Sequence, residues 1–130
     1  MVNNLQMGFA DIMTSYTLIR ASKSIEGRRI ACYHCQQALE KTFKFMLERK
    51  GVTADRTHSL SKLITDLESE NIKVSDNIID LTAVLMNWGS KCRYADSNFS
   101  VSYRELDEVI KAVKGYIKFL SKMYKVDLNW

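Results

Sequence analysis

Tyr33, His34, Gln37, Lys41 and Lys44 crowd into one short stretch of the chain. At about 100° per residue, a helix would gather them on one side together with Glu40 and Glu48. Their types fit one kind of chemistry. Ammonium groups neutralise phosphate, an aromatic ring stacks on a base, and an amide reads a polar edge. Arg93 and Tyr94 repeat part of that set inside an irregular segment, GSKCRYADSNFSVS. An Arg beside an aromatic there either holds a phosphate and stacks a base or ties the segment to a helix C-terminus. For proton transfer the candidates are His34 and His58, with Arg93 to stabilise phosphate charge.

Other spacings that suggest chemistry lead elsewhere. Cys32-Tyr-His-Cys35 has the form of a redox or metal motif, but both sulfurs fall on the apolar side with Leu39 and Met46. The expectation is buried thiols and no metal, since zinc needs about four convergent ligands and only Cys92, His34 and His58 remain to supply them. Arg28 and Arg29 precede His34 by six and five residues. On a helix these pairs diverge by about 120° and 140°, too far to share one phosphate. His58, in RTHSL, is expected to help start a helix or to contact the neighbouring loop.

These residues need helices to position them. Ile30 to Lys50 is the longest uninterrupted helical pattern, with Ala31, Cys32, Cys35, Ala38, Leu39, Thr42, Phe43, Phe45 and Met46 as its packing side and Gly51 as its stop. Before it, Leu5, Phe9, Ile12, Met13, Tyr16 and Ile19 step by threes and fours, so a first helix ends near Ser22 to Ser24, and Ile25 to Arg29 reads as a polar bridge. A third helix carries Leu60, Leu63, Ile64 and Leu67, with Thr57 or Ser59 as cap. A fourth, capped by Ser75 or Asp76, carries Ile78, Leu81, Leu85 and Trp88 and falters at Gly89.

The last helix starts at Tyr103 with Leu106, Val109, Ile110, Val113, Ile117, Leu120 and Tyr124 as its stripe. Beside that stripe run a second apolar line, Ala112, Tyr116, Phe119 and Met123, and a basic line from Lys111 to Lys125. So wide an apolar face calls for more than one neighbour, and a subunit interface is one solution. The expected fold is all-α: one domain over residues 1–130, an up-and-down bundle of four to five helices.

Composition agrees. The 130 residues contain no Pro, which would break helices, and 19 basic against 15 acidic residues leave a net charge of +4 that permits nucleic-acid contact without requiring it. Three Cys make a disulfide framework unexpected, and no apolar run reaches the ~20 residues of a membrane span. A cytoplasmic protein with no membrane contact and no cofactor is the expectation.

The run YHCQQALEKTFKFML, then THSL, then CRYAD before a last amphipathic helix resembles the HEPN domain family, small helical bundles of bacteria and archaea. The match rests on His34, Gln37, Ala38, Glu40, Lys41 and Lys44, with His58-Ser-Leu60 and Arg93-Tyr94, and follows nearly the whole chain in order. The resemblance implies a homodimer, often paired with a minimal nucleotidyltransferase in a toxin–antitoxin or phage-defence system. Many members are metal-independent ribonucleases with an Arg-x(4–6)-His motif near the final helix. Here Arg93 is followed by YADSNFSVSY, with Asp96, Ser97 and Asn98 where the His would fall. None of these titrates near neutral pH as imidazole does.

The resulting expectation is a dimeric subunit that binds a nucleotide or a nucleotidyltransferase partner, through Tyr33, His34, Gln37, Lys41 and Lys44 with Arg93 and Tyr94 nearby. A ribonuclease toxin using His34 or His58, acting on RNA, and a purely structural interaction module are the alternatives. Ala112, Tyr116, Phe119 and Met123 are the candidate dimer contact, and they are the main support for the interaction-module reading.

Overall fold

The computed structural model describes residues 2–53, 58–93 and 98–130, except the side chains of Ser90 and Arg93. Among these residues the chain forms five α-helices and no strand: α1 (Asn4–Ala21), α2 (Ile25–Arg49), α3 (Leu60–Ser69), α4 (Asp76–Trp88) and α5 (Tyr103–Met123), with a 3-10 turn over Gly89–Arg93. No described helix is long and apolar enough to cross a membrane.

Cap chemistry fixes where the helices start. Asn3 and Gln6 close a reciprocal capping box on α1, and Ser59 and Ser102 accept from the third backbone N–H of α3 and α5. Ser24 does the same for α2, accepting from Gly27 N–H at 2.9 Å. This corrects the sequence reading at one place. Ile25 to Arg29 is not a bridge but the first turns of α2, and only residues 22–24 connect the two helices. Gly27 serves close packing there, because a Cβ would stand 2.9 Å from the Ser22 hydroxyl oxygen. Gly51 ends α2 with φ +78°, and Gly89 ends α4 with φ +49°, backbone that favours glycine.

α2 is the element every other helix packs against. α1 runs antiparallel along it, with Asn4 beside Glu48 and the buried Ser15 hydroxyl donating to the Ala31 carbonyl at 2.7 Å. α5 packs on both, pairing Arg20 with Asp107 at one end and placing the Gln6 amide on the Asp127 carbonyl at the other. α3 and α4 cover the remaining flank of α2. The expected core stripes are the ones buried, from Leu5, Phe9, Ile12 and Ile19 through Leu39, Phe43 and Met46 to Leu106, Ile110, Val113 and Ile117. Burial of this apolar surface, at roughly 25 cal/mol per Å², is the main force holding the bundle together.

All three cysteines are free and buried. Burial pushes the Cys35 thiol up to about 12, only partly offset by its bond to the Ser15 hydroxyl, and raises Cys32 further. Thiolates are therefore unfavourable on this side of α2.

Candidate functional site

The α2 residues that point away from the core divide between two neighbours. Tyr33, Gln36, Gln37 and Glu40 form one wall of a cavity of about 450 Å³, whose other walls are His58, Ser59 and Leu60 at the start of α3 and Leu85, Met86 and Gly89 at the end of α4. His34 and Lys41 lie round the helix, towards α1. There Asp11 takes both: its Oδ1 is 2.9 Å from His34 Nδ1, and its Oδ2 is 2.5 Å from Lys41 Nζ.

Two side chains give the cavity its shape. Gln36 donates from Nε2 to the carbonyls of Leu85 (2.8 Å) and Gly89 (3.1 Å), and its Oε1 accepts from the Cys92 thiol. One amide thus adds a donor to the Leu85 carbonyl, which already accepts from Gly89 N–H, and to the Gly89 carbonyl, and so fastens the 3-10 turn to α2. Glu40, on the polar side of α2, is buried, its side chain 7% accessible, and His58 at the start of α3 lies against it. Its carboxylate is compensated by Lys44 Nζ at 3.2 Å and His58 Nδ1 at 3.1 Å.

His58 itself is 79% exposed and reaches across to α2, while Ser59 caps α3. Its Nδ1 meets the Glu40 carboxylate, a contact to α2 beyond the helix start and loop expected for it. The reason is that a buried carboxylate needs a donor.

Of the sequence-expected residues, then, Tyr33 and Gln37 line the cavity, and Lys44 meets it through Glu40. His34 stays in edge-to-face contact with Tyr33, ring centroids 5.6 Å apart, but pairs with Asp11 as Lys41 does. The Arg93 side chain and Tyr94 lie outside the described residues. The backbone of Arg93 belongs to the 3-10 turn whose first residue, Gly89, lines the cavity. On α5, Phe119 (58%) and Met123 (57%) are exposed. Ala112, Tyr116 and Phe119 border a second cavity of about 460 Å³ between α5 and the start of α4.

Sequence reasoning missed Asp11 and Gln36. Asp11 had a signal, being the only carboxylate in the first 25 residues. Gln36 had none, since its role depends on where α4 ends. Among the described residues no group of three or more His, Cys, Asp or Glu is placed to hold a metal ion.

The model of the HEPN domain matches residues 14–124 of this chain. The chain belongs to the HEPN domain family. No curated protein and no solved structure gives a match. The cavity residues of this HEPN protein fall inside the matched span, whereas Asp11, which holds His34 and Lys41, precedes it.

Proposed function

We propose that this HEPN protein binds a nucleotide in the α2–α3–α4 cavity. It would act as a dimeric nucleotide-binding or nucleotidyltransferase-partner subunit of a cytoplasmic toxin–antitoxin or defence-type pair. The observation that carries the reading is the composition of the cavity wall. A tyrosine ring, an amide and a carboxylate face the apolar side chains of Leu60, Leu85 and Met86 in a space of about 450 Å³. Apolar walls with a few polar groups are what a planar base with donors and acceptors at its edge requires. Lys44, which reaches the cavity wall through its ion pair with Glu40, and Arg93 with Tyr94 in the following segment are the phosphate and stacking groups of this proposal, and no cofactor is part of it.

Isothermal titration with ATP and the other nucleotides tests it. Saturable heat is expected, weakened about tenfold by Tyr33→Ala through lost stacking. Heat no larger than dilution at millimolar ligand removes the nucleotide half of the proposal.

One observation favours ribonuclease chemistry as a second reading. Asp11 holds His34 Nδ1, while Nε2 has no hydrogen bond among the described residues. A carboxylate on one nitrogen fixes the tautomer and leaves the other free for proton transfer.

A further inference from the structure

A third cavity, of about 410 Å³, opens where the end of α1 meets the starts of α2 and α5, and it is lined by Ile19, Arg20, Lys23, Arg28 and Tyr103. Three of its five lining side chains are cations, the floor is apolar, and no carboxylate lines it. Among the described residues neither Lys23 nor Arg28 forms a salt bridge. Among the described residues the Arg28 guanidinium forms one hydrogen bond, from NH1 to the Lys23 carbonyl at 3.3 Å. The guanidinium is thus tied to the backbone of the three-residue turn that carries Lys23. That turn is itself closed, with Ser22 and Ser24 hydroxyls 2.8 Å apart and Gly27 fitted against Ser22.

Arg20 is positioned from behind. Its guanidinium lies 3.7 Å from the centroid of the Tyr16 ring, with Asp107 Oδ1 at a loose 3.9 Å. The same ring carries Lys114 Nζ at 4.5 Å, so cationic surface continues from the cavity along the seam of α1 and α5. Tyr103, 46% exposed, contributes the aromatic ring.

We infer that this junction is a second anion site, separate from the α2–α3–α4 cavity, which takes a phosphate with a planar base attached: one nucleotide unit, of a single-stranded nucleic acid or free. Guanidinium forks match phosphate oxygens, unpaired cations in one concavity suit a ligand with concentrated negative charge, and an exposed tyrosine ring stacks on any base. The extension of positive charge towards Lys114 favours a strand over a single nucleotide, because successive phosphates need successive cations.

Fluorescence anisotropy of a labelled single-stranded oligoribonucleotide, read over a salt series, tests this on the full chain. Relative to wild type, Lys23→Ala/Arg28→Ala is expected to weaken binding about tenfold or more and to lower the salt slope by about two. Tyr103→Ala is expected to weaken it about tenfold with the slope unchanged. These side chains are outside the buried core, and circular dichroism verifies that both variants fold. Competition separates the sources: displacement by a mononucleotide at equal phosphate concentration assigns the site to free nucleotide, and its failure assigns it to a strand. No wild-type binding at low salt, a double variant that binds like wild type, or equal displacement by polyglutamate overturns the inference. Failure of the α2–α3–α4 cavity to bind nucleotide leaves these readouts unchanged, since none of the altered residues lines it.

Discussion

Two carboxylates decide how the chemistry of α2 is shared out. Asp11 engages His34 and Lys41, and Glu40 engages Lys44 and His58, so four groups that look available for a ligand are already in ion pairs or hydrogen bonds. Each pairing lowers the positive field those groups offer a phosphate, which makes the cavity better suited to a base than to a polyphosphate. The same reasoning bears on ribonuclease chemistry. No described guanidinium lines the Tyr33 cavity to stabilise a developing phosphate charge. Purified protein incubated with total cellular RNA is therefore expected to leave it intact on a denaturing gel. Cleavage that His34→Ala abolishes would establish the ribonuclease reading instead.

Helix α2 is the axle of the fold, and its closest neighbour is set by one residue of α1. A Cβ at Gly8 would stand 2.9 Å from the Ala38 carbonyl oxygen and 3.0 Å from Thr42 Oγ1. The first of these is backbone and cannot swing away, so a larger residue would force α1 off α2. Gly8→Val is expected to destabilise the protein by about 2–3 kcal/mol, read from urea unfolding followed by circular dichroism. An unchanged midpoint would mean that the two helices separate at little cost. Spacing between α1 and α2 also matters for the site, because Asp11 reaches His34 and Lys41 only across this contact.

On the scale of the molecule, α5 keeps part of its second apolar line exposed among the described residues. Tyr116 is anchored, packing on Phe43 with its hydroxyl near Met46 Sδ, and burial holds its phenol well above the usual range. Phe119 and Met123 beyond it are exposed. Apolar side chains this open, next to a cavity of about 460 Å³, support the proposed contact between two copies. Light scattering is expected to give a dimer mass for wild type and a folded monomer for Phe119→Glu. A monomeric wild type, or a Phe119→Glu variant that keeps the dimer mass, would sink this contact.

Periodicity was enough to read the helices and their buried stripes, apart from the first turns of α2, because 3.6-residue spacing of apolar side chains is a local property that tertiary packing here reinforced. The family could also be read from the sequence, through the order of the Tyr33–Lys44 run, His58-Ser-Leu60 and Arg93-Tyr94 along the chain. The division of labour among those residues could not. Whether a cation meets solvent or a carboxylate depends on which helix lies alongside, and Asp11 and His34 are separated by 23 positions in the chain but by 2.9 Å in the fold. Gln36 and the cationic junction of Arg20, Lys23 and Arg28 likewise acquire meaning only when α1, α2, α4 and α5 are in place. Side-chain type and spacing determined the bundle; the distances between elements, which no local pattern encodes, decided which of its polar groups remain open to a ligand.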